Sequence, residues 1–376
     1  MDVGASCGVL RYLEQVEDFR MNRTKLHSLV DILFVTICAV ICGADGWAEV
    51  ALFGRSKLEW LRRFVPLANG IPSHDTFGRV FARLDPLQLE QCFRQWMAAL
   101  AEATEGRLVA IDGKTIRRSF DQATGKKAVH MVSAWCEANH LVLGQLATEE
   151  KSNEITAIPR LLEMLDVRHA VVTIDAMGCQ TEIAQAIVDQ KADYALAVKP
   201  NQPTLFDGIS NFFIDHLEDD FARVQVSRHE THEKGHGREE TRTYYVCAVP
   251  ENLPDGTRWP KLQAIGVAIN NTTCDGKETS DVRYYILSKR LTGGQFAAAV
   301  RGHWSIENNL HWQLDVTFKE DESRIRKGHA DANFSILRRS ALSLLKNNKA
   351  RKVGVKNKRL VAALDENYLM EVLLGT

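Results

Sequence analysis

The chain of 376 residues has no CxxC pair. Zinc ribbons and thioredoxin-like redox motifs therefore have no basis. Its eight cysteines are scattered at Cys7, Cys38, Cys42, Cys92, Cys136, Cys179, Cys247 and Cys274, too sparse for a disulfide scaffold. Reduced thiols in a cytosol fit this usage. An excess of charge is also missing. Lys plus Arg is 47 and Asp plus Glu is 48, a net charge of -1, which excludes a protein acting only as a basic sleeve for nucleic acid. No apolar run reaches bilayer length. The longest, Ile32 to Cys42, is bounded by Asp31 and Gly43 and reads as a buried helix. The start, MDVGASCGVL, lacks the basic residues and apolar stretch of a signal peptide. The expectation is a cytoplasmic protein without a membrane partner. Internal repeats and low-complexity tracts are absent too. Hydrophobic residues at 45% and charged residues at 25% are ordinary for a globular chain, and the length allows two or three domains.

The pattern changes along the chain. Residues 1–105 read as a small all-helical domain. Apolar runs at Leu26 to Val40, Val50 to Phe64 and Leu87 to Ala101 have helical spacing, and Ser73-His74-Asp75 precedes Phe77, Val80, Phe81 and Leu84 as a capped start. Short β-like runs then alternate with helices: Leu108 to Ile111, Val129 to Trp135, Leu141 to Ala147, Ala170 to Ile174 and Tyr194 to Val198. This predicts a mixed α/β sheet built from residues 106–203 and 291–325. Residues 204–290 break the alternation and read as a β-rich insertion. A long helix is predicted from Gly293 to Lys319. Residues 326–376 form a C-terminal basic helical region, in which Arg338 to Arg359 holds nine Lys or Arg and no acid.

Three carboxylates stand out. Asp112 and Asp175 each end a predicted strand, and residues just outside strand ends line the crevice of an open α/β sheet. Taken singly, each is also an ordinary turn residue. Glu307 lies on the long helix, where His303, Glu307, His311 and Asp315 recur at i+4 beside an apolar stripe of Ile306, Leu310, Leu314 and Phe318. Three acids brought together without a cation would repel one another. Oxygen donors of this kind suit Mg²⁺, and paired ions of that type serve phosphoryl transfer. His229, His232 and His236 lack a fourth ligand for zinc.

Longer motifs carry a resemblance. Pro72-Ser73-His74-Asp75-Thr76-Phe77, Ile111-Asp112-Gly113-Lys114, Asp175-Ala176, Val198-Lys199-Pro200-Asn201-Gln202, Lys234-Gly235-His236-Gly237-Arg238 and Arg301-Gly302-His303-Trp304-Ser305-Ile306-Glu307-Asn308 follow one another along nearly the whole chain. In these the chain resembles the DDE transposases of bacterial insertion sequences, in particular the H-repeat-associated proteins. The resemblance implies a ribonuclease-H-like mixed sheet with a β-rich insertion. It also implies Asp112, Asp175 and Glu307 as the catalytic and metal-binding triad. Two Mg²⁺ ions per site are implied, with Mn²⁺ as a substitute. The wider relatives carry Tyr, Arg and Lys at minus seven, minus four and plus seven from the glutamate. Here those places hold Val300, His303 and Leu314.

The expected activity is cleavage at the ends of an insertion sequence and strand transfer into target DNA. Two alternatives stay open: a domesticated or inactive DNA-binding relative, and a metal-dependent nuclease without strand transfer. Double-stranded DNA is the expected partner, bound by a homodimer or larger assembly. The N-terminal helices are the candidates for recognising the element ends. Phosphate contacts are expected from Lys114, Arg117, Lys199, Arg238, Arg242, Arg301, His303, Arg324 and Arg326. For Arg238 and Arg242 the competing reading is an ion-pair ladder with Glu240, because alternate residues share one face of a strand.

Overall fold

The computed structural model describes residues 8–21, 25–100, 108–148, 153–235 and 237–375. His236 of the Lys234-to-Arg238 motif and the predicted close of the helical domain at 102–106 lie outside the described residues. The chain divides into two compact units. One comprises residues 1–103, 113–153 and 307–376; the other comprises 104–112 and 154–306. No helix among the described residues is long and apolar enough to cross a membrane.

The first unit is mostly helical. It contains α1 (Leu10–Leu13), α2 (Leu29–Ile41), α3 (Trp47–Ser56), α4 (Leu58–Leu61), α5 (His74–Arg83) and α6 (Pro86–Leu100). To these it adds the hairpin β2 (His130–Cys136) and β3 (Leu141–Thr148), then α11 (Trp312–Val316), α12 (Ala330–Asn347), α13 (Val355–Leu364) and α14 (Glu366–Leu374). Local chemistry starts the helices where the sequence suggests. The Ser28 side chain caps α2 by accepting from Asp31 N, and that of Ser73 caps α5 by accepting from Thr76 N. The predicted helix from Val50 to Phe64 is in fact two, broken at Lys57.

At the centre lies α12, buried along its length from Ala330 to Leu345 and packed against α2, α5, α6 and β3. It carries polar residues into the core, and each named here is answered. Asn333 donates to the carbonyls of Phe81 (2.8 Å) and Leu84 (2.9 Å) at the end of α5. Arg339 pairs with Glu320 at 2.8 Å, both side chains wholly buried. The C-terminal basic block is thus divided. Arg338, Arg339, Lys358 and Arg359 are buried. Lys358 donates to the carbonyls of Leu345 and Asn348, and Arg359 to Val40 O and to Asp45. Only Lys349, Arg351, Lys352 and Lys356 of the nine are exposed.

The second unit is a mixed sheet with helices. Its strands are β1 (Leu108–Thr115, whose last three residues count with the first unit), β4 (Val171–Ile174), β5 (Asp193–Val198), β6 (Val226–Gly235), β7 (Arg238–Ala248), β8 (Ala264–Cys274) and β9 (Lys277–Leu287). Their order is β1-β4-β5-β9-β8-β7-β6. The first three run parallel, and β5 to β9 and onward is antiparallel. Helices α7 (Glu154–Glu163), α8 (Thr181–Asp189), α9 (Pro203–Glu218) and α10 (Gly293–Ser305) complete it. The predicted β-rich stretch therefore extends the sheet as a meander. Its strands run several residues further than the apolar signal, because the outer ends are charged and exposed.

Helix α10 opens with a capping box between Thr292 and Gln295. It lays Phe296, Ala297 and Val300 against Tyr244, Ala264 and Tyr285 of the sheet. Gly302 allows the close approach at its far end: a Cβ there would sit 2.0 Å from Leu108 Cδ2.

Candidate active site

Asp112 and Asp175 start from neighbouring strands. β1 and β4 pair in parallel from Leu108↔Val171 to Ile111↔Ile174, and the next residue on each is the aspartate. Adjacent strands lie about 4.8 Å apart, so the two carboxylates leave adjacent backbones at the same level. Asp112 is half-buried and Asp175 exposed. The Asp112-Gly113 pair suggested a strand end, and this is corrected: β1 continues to Thr115. Beyond it Ile116, buried, donates to Val129 O at 2.9 Å, so the chain stays extended to place an apolar side chain.

The backbone after Asp175 is fixed from several sides. Asp175 caps the 3₁₀ turn Ala176–Gly178, its Oδ1 accepting from Met177 N (3.1 Å) and Gly178 N (3.4 Å). Asn201 Nδ2 donates to Ala176 O at 2.7 Å, and Gln202 Nε2 to Cys179 O at 2.9 Å. The Lys199-Pro200-Asn201-Gln202 motif, whose role was not readable from sequence, thus clamps the turn that carries Asp175. Lys199 itself is exposed and makes no ion pair among the described residues.

His303 ties α10 to β4. Its Nδ1 lies 3.1 Å from Thr173 Oγ1, two residues before Asp175. Loss of water pushes its pKa down to about 4, against the opposing pull of Asp175. Burial thus favours the neutral ring at the place where the wider relatives carry an arginine. Beyond Ser305 the helix changes pitch. Ile306–His311 is π-helical, and α11 follows. The predicted unbroken helix and its i+4 stripe are therefore corrected: the wider turn shifts the faces of all residues after it. The apolar stripe survives, with Ile306, Leu310, Leu314 and Phe318 all fully buried. Glu307 stands exposed at the start of the π segment, the kind of helical irregularity often found at functional sites. Among the described residues, no three His, Cys, Asp or Glu side chains are grouped as a ready-made metal cage.

The basic candidates fall into two groups. Lys114 is buried and held by Asp315 (2.8 Å) and Asp321 (2.9 Å). Arg242 pairs with Glu233 and Glu240, Arg238 with Glu240, and Arg301 with Glu233. Hydrogen bonds from Arg301 and Arg242 hold Glu233 down to about 2. This is the ion-pair ladder read as the alternative for these strands. Arg117 is exposed, although it touches Asp321 at 3.1 Å. Arg324 is exposed and Arg326 half-buried.

The two half-buried histidines set a pH limit. His311 is pushed down further than His303, to about 3, again chiefly by burial. Below pH 6.5 the unfolded chain binds a proton that the folded histidine refuses. Their contribution to stability is therefore complete above pH 6.5 and drains away as pH falls towards 4 and 3. Glu90, raised to about 7 by burial, acts with the opposite sign: it favours the fold at low pH and loses that as pH rises from 4.5 to 7. Comparing the pH profile of His303→Gln with the parent isolates one group. The parent melting temperature should fall between pH 7 and 4.5, and the fall should be smaller in the variant. An identical fall would remove His303 from the account.

Residues 103–344 match the family described as Transposase DDE domain, and residues 10–97 the one described as DDE_Tnp_1-associated. The chain is 46% identical to Putative transposase YncI of Escherichia coli O157:H7, over 97% of this chain and 94% of that protein. It is 41% identical to H repeat-associated putative transposase YhhI of Escherichia coli K12, over 98% of both. Putative protein YbfL of the same strain is 40% identical, again over 98% of both. The chain belongs to the DDE-domain transposase family.

Proposed function

We propose that the protein is a metal-dependent DNA transposase that cuts at the ends of its element and joins the released 3′ ends to target DNA. The observation that carries this is the register of β1 on β4, which sets Asp112 beside Asp175 in a chain of this family. The donor set suits a hard divalent cation. Asp175 spends Oδ1 on two backbone N–H groups and leaves Oδ2 without a hydrogen bond among the described residues. Asp112, Asp175 and Glu307 would hold the ion or ions, Mg²⁺ with Mn²⁺ as substitute. When bound, such ions supply charge stabilisation to the phosphoryl oxygens. The chain's own part is positional. Asn201 and Gln202 hold the Asp175 turn, and His303 on Thr173 holds the helix that leads to Glu307.

We assign phosphate contacts to Arg117, Lys199, Arg324 and Arg326. Lys114, Arg238, Arg242 and Arg301 are held by acidic partners and serve the fold in this reading, whereas Arg117, though it touches Asp321, stays largely open to solvent. Residues 1–105 are the candidate reader of the element ends, acting on DNA in the cytoplasm.

The test uses duplexes carrying the inverted repeats that flank the gene, incubated with target plasmid and Mg²⁺ or Mn²⁺. Nicks leaving a 3′-hydroxyl at the element end, followed by joining, are expected. Cleavage without joining would make the protein a nuclease. Binding without cleavage in either metal would make it a DNA-binding relative. On paired ends, mass measurement should find two or more copies, since two ends must be processed together. A lone copy bridging both ends would overturn the multimeric reading.

A further inference from the structure

One cleft in the first unit gathers Arg324 and Arg326, assigned above to phosphate contacts, with two cations not yet given a role, Arg79 and Lys327. It encloses about 420 Å³ and is lined by Trp47, by the first two turns of α5, and by the loop from Arg324 to Ala330 that leads into α12. Four of its residues are cationic, Arg79, Arg324, Arg326 and Lys327; one, Asp75, is a carboxylate. In a chain of net charge -1 this is a local excess of positive charge. Asp75 is engaged with His74 at 3.4 Å. Arg324 and Lys327 are exposed and make no ion pair among the described residues.

The loop is built to hold this shape. Lys126 Nζ donates to Arg326 O (3.0 Å) and Gly328 O (2.6 Å) and pairs with Asp331 at 2.6 Å. His329 N donates to Ala82 O at 3.0 Å. Gly328 sits at φ +54, where an added Cβ would lie 2.2 Å from Ala82 O, so only glycine permits this contact with α5. Arg326 is steered by its own bond to Phe120 O at 3.3 Å. Lys126 thus spends its charge on the loop's inner carbonyls, and the loop's own cations remain for the cleft. Two helices, α5 and α12, also begin at the cleft, and α12 has no side-chain cap at His329. Helix starts favour anions.

We propose that this cleft seats the phosphate backbone of a DNA strand. The helical segment contributes Arg79, and the loop before α12 contributes Arg324, Arg326 and Lys327. The inference rests on the transposase reading for its ligand and adds Arg79, Lys327 and Trp47 to the contacts assigned there. Trp47, stacked on Phe81 with centroids 4.9 Å apart, forms a rigid aromatic wall suited to a sugar or base edge.

The test is duplex binding by the full chain in EDTA, without cleavage, across a range of salt concentrations. Arg324→Gln with Lys327→Gln should lower affinity about ten- to a hundredfold near 0.1 M salt. It should also flatten the slope of log affinity on log salt by about two, roughly 0.9 per lost phosphate contact. In the unsubstituted protein, duplex should protect Lys327 from acetylation, read by mass spectrometry; inorganic phosphate at about 10 mM should not. A double variant with parental affinity and slope overturns the proposal. So does Lys327 labelling unchanged by duplex. Protection by inorganic phosphate alone would make the cleft a free-anion site and overturn the backbone assignment. Parent protein that binds no duplex at any salt overturns the transposase reading as well, whereas salt-dependent parent binding with an unaffected variant removes only the cleft.

Discussion

Asparagine at position 175 is expected to lower metal-dependent strand cleavage by about three orders of magnitude or more, the scale on which one member of a cooperating catalytic set acts. Duplex affinity in EDTA and the melting temperature should stay near parental. The choice of asparagine follows from the turn after β4. Oδ1 of residue 175 accepts from Met177 N and Gly178 N, and an asparagine carbonyl can accept the same bonds. What changes is the charge and the donor strength of the second atom. Alanine would remove both functions and confound loss of metal with loss of the cap. Cleavage assays over a Mg²⁺ titration check this. Recovery at high Mg²⁺ would mean that the carboxylate tightens metal binding; no recovery would place it in the reaction. Cleavage at the parental rate and parental Mg²⁺ would remove Asp175 from the site.

The strands that carry Asp112 and Asp175 were legible in the chain because each acid lies next to a short apolar run. Val-Val-Thr-Ile before Asp175 and Leu-Val-Ala-Ile before Asp112 read as strands, and both are, paired in parallel. Ser73 was legible as a cap because its side chain has a local task. The hidden features depend on partners distant in sequence. Nothing around Asp112 shows that β1 runs on to Thr115, since that depends on where Ile116 finds cover. Nothing local forces the π turn at Ile306–His311, because spacing alone reads a wider turn as ordinary helix. The role of Asn201 and Gln202 lies in carbonyls 25 and 23 residues upstream. Charge partners are hidden in the same way: nothing in the sequence shows that Glu233 pairs with Arg242 and Arg301, while Glu240 beside Arg238 is the ladder that strand alternation suggests.

The same lesson gives the largest stability effect. Glu320→Gln is expected to cost about 3–5 kcal/mol, because removing one partner of a buried ion pair leaves the other charge without compensation. Glu320 and Arg339 meet at 2.8 Å, neither side chain reaching water. Ser335 Oγ donates to the same carboxylate at 2.7 Å, and Arg339 Nε to Ser133 Oγ at 3.2 Å. Burial alone would raise the pKa of Glu320. Arg339, Arg338 and Lys114 outweigh it, and the carboxyl is held below its usual value. Its stabilisation is therefore present above pH 4.5 and is lost as pH falls through the folded value. Glutamine keeps the shape and the bond from Ser335 but leaves Arg339 and the buried Arg338 facing a neutral amide. Arg339→Met should also destabilise, and the double variant should cost less than the sum of the two, since the methionine no longer needs the acid. Urea unfolding of the four proteins measures that coupling. A coupling energy near zero would mean that the pair does not hold α12 to the segment before it, and that the two residues are buried for separate reasons.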